Sequence, residues 1–373
     1  MTPLLLLRLL CLLPLATAAS AALPADFTAQ LATKSSLSDP ASALVAWDPR
    51  HSPSPCRWPH LLCSSNRSSV SDAHAPAVVA SLLLSNLSLA GTFPSALCSL
   101  GSLVHLDLSY NSLTGPLPPC LAALPSLTHL DLAGNAFSGE VPGAYGAGFP
   151  SLASLSLAGN DLSDSFIGFL FNVTALEELL LAYNPFAPSP LPEDVSGATR
   201  LRLLWLAGCG LVGEIPPSIG SLSGLVNLDL FTNNLTGDIP SSIRRMENAM
   251  QIELYSNQLT GSVPEGLSGE IPADVFLAPR LESLHLYQNE LSGRLPATLG
   301  QAPALADLRL FSNRLVGELP PEFGKNYPLE FLDLSDNRIS GIIPAALCNA
   351  GKLEQLLILN NELVGPIPAE LGQ

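Results

Sequence analysis

Aromatic rings held at a fixed spacing are suited to binding rather than to catalysis. Phe231, Tyr255, Tyr287 and Phe311 recur at steps of 24, 32 and 24 residues. A second series, Trp205, Asp229, Glu253, His285 and Arg309, runs at steps of 24, 24, 32 and 24 residues. Asp229, Glu253, His285 and Arg309 each stand two residues ahead of an aromatic. Rings interleaved with charges are what recognition surfaces use. An extended peptide crossing both series would seat its apolar side chains on the rings. Aromatic residues also suit strands for packing reasons alone, but here they run together on one column. Covalent chemistry lacks its parts: there is no Gly-rich phosphate loop, no nucleophile elbow and no metal-spaced His pair. The 6 histidines are scattered, and His105, His129 and His285 at strand positions are expected to be solvated. The Asp residues of the same column are about a coil apart, without the further oxygen ligands a cation needs. The sequence therefore predicts neither an enzyme nor a cofactor.

The elements that would position these residues are set by a repeat. Its first half reads L-x-x-L-x-L-x-x-N-x-L and its second x-G-x-h-P, with h apolar. Aligned on the Asn position, the copies fall at Leu87, Asn111, Asn135, Asn160, Asn184, Cys209, Asn233, Asn257, Asn289, Asn313, Asn337 and Asn361, with steps of 24 or 25 residues except for one of 32. Self-similarity of this length marks a solenoid in which each unit packs only on its neighbours. Each L-x-L is a short strand whose leucines point inward while the intervening residues face solvent. The Asn side chain supplies hydrogen bonds where the coil bends, the Gly permits restricted backbone, and the Pro fixes φ on the outer turn. The Gly-x-h-Pro signal is lost near Asp164, and Ala187 to Pro192 is Pro-rich, so irregular outer segments are expected there.

The 32-residue step lies within the aromatic stretch. Asn257 to Pro264 ends one unit, and after Glu265-Gly-Leu a second Gly-x-h-Pro follows at once, Ser268 to Pro272, with no strand before it. Two full units would take 48 residues, so 16 are missing, including a whole L-x-x-L-x-L strand. The expectation is one 32-residue coil with an eight-residue bulge, arising from a natural variant, a skipped exon segment or a wrong gene model.

Residues 1–22 read as a cleaved secretory leader, with an apolar run through Leu15 and small residues from Ala16 to Ala22. No later stretch of about 18 apolar residues suggests a membrane helix. Residues 23–77 read as an N-terminal cap covering the open end of the leucine spine. Asp26 is expected as an N-cap, Leu31 and Leu44 on an apolar face, and Asp39-Pro40 as a break between two short helices. Trp47 and Trp58 would form the core of the cap, and residues 64–77 a surface loop. Residues 78–373 hold about twelve repeats, irregular and shortened over 258–289, with no C-terminal cap. Cys56 and Cys63 suit a local disulfide. Cys98 and Cys120 could bridge neighbouring coils, Cys209 reads as a buried thiol in the Asn column, and Cys348 is unpaired. Four N-x-S/T sequons, at Asn66, Asn86, Asn172 and Asn234, support a glycosylated, secreted or cell-surface protein. A net charge of −16 and a pI near 4.6 argue against a nucleic-acid surface.

The repeat resembles plant-type extracellular leucine-rich repeats. The cap, Leu31 to Trp47 in the pattern L-x-x-K-x-x-L-x-D-P-x-x-x-L-x-x-W and then C-x-W-x-x-x-x-C from Cys56 to Cys63, resembles their N-terminal domain. Leu204 to Cys209, Leu225 to Leu230, Gln251 to Leu254, Leu281 to Leu284 and Leu310 to Leu315 are similar to the ectodomains of HAESA and HAESA-like receptor kinases. The resemblance implies an α/β leucine-rich-repeat solenoid: a right-handed superhelix with a concave parallel β-sheet, irregular or 3-10 outer turns and a helical cap. It also implies a plasma-membrane receptor whose concave face binds a secreted, hydroxyproline-containing peptide, joined by a co-receptor kinase with a short ectodomain. Trp205, Asp229, Phe231, Glu253, Tyr255, His285, Tyr287, Arg309 and Phe311 fall in the peptide-binding region. In that family a further coil lies between those of Tyr255 and Tyr287, and a coil beyond the position of Gln373 carries an R-x-R pair that captures the peptide carboxylate. A region truncated before the membrane span and kinase is therefore expected, with its shape surviving better than its activity. The alternatives are a secreted inhibitor of a cell-wall hydrolase and a non-functional partial gene product.

Overall fold

The computed structural model describes residues 25–52, 54–65, 77–165, 167–261, 271–325, 328–349 and 351–372. The leader, the Asn66 sequon and the eight extra residues expected near 265–272 lie wholly or largely outside them.

The L-x-L segments form one 13-stranded sheet. Its strands, in chain order, are β1 (Leu61–Ser65), β2 (Ala77–Leu83), β3 (His105–Asp107), β4 (His129–Asp131), β5 (Ser154–Ser156), β6 (Glu178–Leu180), β7 (Leu203–Trp205), β8 (Asn227–Asp229), β9 (Gln251–Glu253), β10 (Ser283–His285), β11 (Asp307–Arg309), β12 (Phe331–Asp333) and β13 (Gln355–Leu357). β1 runs antiparallel to β2, and every later neighbour is parallel. The middle residue of each repeat strand from Leu106 to Leu332 is fully buried. Its flanking residues point to the opposite, concave side, as the two-residue period of a strand requires. Behind the sheet, short outer strands form three smaller parallel ladders, and 3-10 turns such as Ser95–Ser99 and Pro217–Ser221 follow the repeat prolines. Where the Gly-x-h-Pro signal is lost, the outer ladder shrinks to single bridges, Ser165 with Ala187 and Ser189 with Leu211. No helix among the described residues is long and apolar enough to cross a membrane.

The Asn column forms a ladder through the interior. Asn257 donates from Nδ2 to the Leu230 and Leu254 carbonyls at 3.0 and 3.1 Å, and its Oδ1 accepts from the Leu235 N–H at 3.0 Å. Asn289, on the far side of the 32-residue step, repeats the pattern with Leu254 (3.0 Å), Leu286 (3.1 Å) and the Leu259 N–H (3.0 Å). Cys209 fits the same column: its buried thiol donates to the Leu181 carbonyl at 3.3 Å, and burial pushes its pKa up to about 12. The step leaves the sheet unbroken. β9 pairs directly with β10 in the same register as its neighbours, Gln251 with Ser283 and Glu253 with His285, while Ile271, Val275 and Phe276 fill the core beneath.

The cap differs from expectation in two places. Helix Ala25–Ser36 is the only α-helix among the described residues of the cap. Asp26 lies inside its first turn and accepts from the Val79 N–H at 2.9 Å, tying cap to sheet. The Asp39 carboxylate accepts from the Ala43 and Leu44 N–H groups, both at 2.8 Å, and closes a turn where a second helix was expected. Trp47 and Trp58 are buried and stacked, with ring centroids 5.8 Å apart. Cys56 is bonded to Cys63, and Cys98 to Cys120 across neighbouring coils. Asn86, Asn172 and Asn234 are exposed.

Candidate ligand-binding face

The repeat register places two functional rows side by side on the concave face. In the first, Trp205, Asp229, Glu253, His285, Arg309 and Asp333 are direct partners on consecutive strands. In the second, two residues further on, Phe231, Tyr255, Tyr287 and Phe311 stack face to face. Their centroids are 4.4, 4.2 and 4.2 Å apart and their planes within 13° of parallel. The rings bury their faces on one another and leave their edges outward. The 32-residue step is what brings Tyr255 against Tyr287, since β9 and β10 are neighbours. Stacked aromatic pairs contribute about 0.5–1.5 kcal/mol beyond area burial, so the row is stiff.

Two expectations about exposure are overturned. Glu253 is buried rather than solvent-facing, and His285 is held in an ion pair rather than solvated. His285 Nδ1 donates to Glu253 Oε2 at 2.7 Å, and Nε2 lies 3.2 Å from Asp307 Oδ2. Burial opposes the charge on His285, but the hydrogen bonds to Asp307 and Glu253 outweigh it and raise its pKa to about 9. Asp307 in turn accepts a bidentate pair from Arg309, both contacts at 2.9 Å. Gln251 also donates to Glu253, at 2.9 Å. His285 thus clamps β9 to β10 and β10 to β11.

A raised His pKa means that its contribution to stability is fully present below about pH 6.5 and is lost as pH rises through about 9. Replacing His285 with Gln is expected to lower the unfolding free energy by about 2–4 kcal/mol at neutral pH, because the buried Glu253 loses its cationic partner and the half-buried Asp307 loses one of two. Thermal melts should show the wild type weakening between these pH values and the variant not. Parallel pH profiles for the two proteins would remove the clamp.

At the other end of the row the column changes character. Ala182 and Ala207, two residues before Asn184 and Cys209, are fully buried because the rings of Trp205 and Phe231 lie over them. Tyr183, missed in the sequence, stands immediately before Asn184 and meets Trp205 and Phe231 edge-on, with centroids 5.9 and 6.3 Å away. The signal was present one column over, where Tyr110 and Tyr183 alternate with glycines. Gly134 is needed there, since a Cβ would sit 2.7 Å from the Tyr110 ring on a backbone of φ +63°. Asp307, also missed, stands six residues before its Asn. His105 and His129 stack at 5.2 Å, away from the aromatic row. An open depression of about 460 Å³ beside the rows is lined by His129, Ser154, Glu177, Glu178, Arg202 and Asn227, among others.

Asp229 caps the Phe231 N–H, as Asp107 and Asp131 cap the N–H of Ser109 and Ala133 at 2.9 Å. Its other oxygen, Oδ1, is buried without a partner, as is Trp205 Nε1 on the adjoining strand. Burial, and secondarily the charge of Glu253, push the Asp229 carboxyl up to about 7 against the stabilising Phe231 N–H.

Comparison with known proteins gives a consistent pattern. The leucine-rich-repeat N-terminal domain matches residues 23–64, and leucine-rich repeats match residues 78–137, 200–222, 224–246, 280–302 and 328–350. Over 78 residues the chain is 43% identical to the receptor-like protein kinase HSL1 of Arabidopsis thaliana, a match covering 21% of this chain and 7% of that protein. The solved ectodomain of the Arabidopsis receptor kinase HAESA, in complex with the peptide hormone IDA and the co-receptor SERK1, is 39% identical with a TM-score of 0.69, covering 93% of this chain and 63% of that one. The PEPR1–AtPEP1 complex is 30% identical with a TM-score of 0.75, covering 93% and 50%. The chain thus spans less than two thirds of the length of these relatives.

Proposed function

Because this chain belongs to the leucine-rich-repeat proteins and carries their N-terminal domain, we propose that its concave face is the peptide-binding part of a plant cell-surface receptor. The observation that carries this reading is the unbroken aromatic stack from Phe231 to Phe311 beside a row of fixed charges. A rigid strip of ring edges offers an extended peptide apolar contact at little entropic cost, and the charged row gives polar groups to align it. The HAESA and PEPR1 structures, which carry peptide ligands on the same fold, support the choice of a peptide.

The ligand is a secreted, hydroxyproline-containing peptide, and the second partner a leucine-rich-repeat co-receptor kinase with a short ectodomain. Binding residues are Trp205, Asp229, Phe231, Glu253, Tyr255, His285, Tyr287, Arg309 and Phe311. Glu253 and His285 act by holding the row in register, since each already engages the other. The protein acts outside the cell, with glycans at the exposed Asn86, Asn172 and Asn234.

Calorimetric titration of the purified protein with a hydroxyproline-containing peptide tests the reading. Binding in the micromolar range or tighter, about −8 kcal/mol, is expected. No heat at that concentration, together with inhibition of a cell-wall hydrolase, would replace this reading with the inhibitor alternative.

A further inference from the structure

Most polar atoms on the concave face are already engaged: Glu253, His285, Asp307 and Arg309 with one another, and Asp107, Asp131 and Asp333 with their own backbone. Trp205 Nε1 and Asp229 Oδ1 stand out as a donor and an acceptor, on adjoining strands and buried without partners. A buried polar atom left unpaired costs about 1–3 kcal/mol, more for a charged one, so such atoms are rare in native proteins unless something else completes them. Both lie where the floor of small residues meets the aromatic row, between Tyr183 and Phe231.

We propose that Trp205 and Asp229 form a subsite for one backbone amide unit of an extended peptide, whose N–H donates to Asp229 Oδ1 and whose C=O accepts from Trp205 Nε1. This deepens the peptide-binding reading and rests on it. A peptide unit carries one donor and one acceptor, matching the two open valences; an ammonium offers no acceptor to the indole and a carboxylate no donor to the ionised Asp229. Access needs a side-chain movement. The Tyr183 ring, about half exposed and set edge-on against Trp205, is placed to make it.

Asp229→Asn and Trp205→Phe test this. The first keeps shape and can still cap Phe231 while turning the open acceptor into a donor; the second removes the indole N–H together with part of the ring. Each is expected to weaken the hydroxyproline peptide about tenfold or more, the usual effect of losing a hydrogen bond to a charged or buried group. A series of the same peptide, with one backbone amide N-methylated at a time, should contain one member that loses about tenfold on the wild type and little on Asp229→Asn. A readout without ligand separates this from a purely structural role. Because the Asp229 carboxyl is held up to about 7, the free fold loses stability as pH rises from the ordinary carboxylate range to about 7, and the loss is complete above it. Asp229→Asn should therefore melt higher than wild type at about pH 8, with the gap closing as pH falls toward about 4. Glu253, Tyr255, Tyr183 and the Cys209 thiol are the ionisable groups around it, and none of them is altered. Unchanged affinity in both variants overturns the subsite while leaving peptide binding in place. Weakened binding with no N-methyl position rescued means that a side-chain hydroxyl is read instead, which also overturns it. If the parent peptide fails to bind the wild type, the peptide reading falls first and the subsite with it.

Discussion

Replacing Asn289 with alanine is expected to lower the unfolding free energy by about 2–4 kcal/mol. The change orphans the Leu259 N–H and removes one of two amide donors at each of the Leu254 and Leu286 carbonyls, which keep Asn257 and Asn313. An unpaired buried backbone group costs about 1–3 kcal/mol, and in a solenoid the loss falls on the contact between two neighbouring units. The position is demanding because Asn289 is the first rung after the 32-residue step. It bonds back to a strand 35 residues earlier, where the regular interval is 27 or 28. Cys209 supplies an internal control, since a thiol already occupies the column and donates to a carbonyl. Asn289→Cys should therefore cost measurably less than Asn289→Ala. Denaturant unfolding of both variants gives the comparison; a loss below about 0.5 kcal/mol in Asn289→Ala, the size of an ordinary surface change, would mean that the ladder does not hold the junction.

Tyr255→Ala is expected to weaken peptide binding by about 2–3 kcal/mol, or roughly 30- to 150-fold, the size of a central aromatic anchor. Tyr255, like Tyr287, has stacked neighbours on both sides and on both sides of the step, Phe231 at 4.4 Å and Tyr287 at 4.2 Å. Its removal splits the strip in two and frees both neighbours to change rotamer. Tyr255→Phe keeps the stack and loses only the hydroxyl, which interacts with Tyr287, so it should bind within a few-fold of wild type. Phe311, stacked on one side only, should lose less on truncation. Equal affinity in wild type and Tyr255→Ala, with the variant folded by circular dichroism, would remove the stack from the binding account.

The spacing of Leu, Asn, Gly and Pro made the fold readable because each repeat uses the same few backbone constraints, and any one unit predicts the next. The aromatic and charged rows were readable for the same reason: a fixed period with a fixed alternation puts every twenty-fourth residue in line. Pairing across the irregular step followed from reading it as one 32-residue coil, and β9 does lie beside β10. The ion pair between Glu253 and His285 was not readable, because it depends on how the two side chains lean across the sheet. Exposure was misjudged wherever a neighbouring column leans over. Ala182 and Ala207 are buried under the rings of Trp205 and Phe231, which no reading of a single column reveals. The cap shows the same limit at smaller scale. Asp26 and Asp39 both suit a helix N-terminus by type, but Asp26 is drawn to the sheet edge at Val79, and Asp39 spends both oxygens on one turn.

The central claim is that an extended peptide lies along the aromatic row, across the strands from Asn227–Asp229 to Asp307–Arg309. Amide hydrogen exchange with and without a saturating hydroxyproline-containing peptide tests it most directly. Slowed exchange in segments 229–232, 253–256, 285–288 and 309–312, as one contiguous band, is the result this account predicts. Protection confined to the depression around His129, Glu178 and Asn227, or no change in any of the four segments, would contradict it.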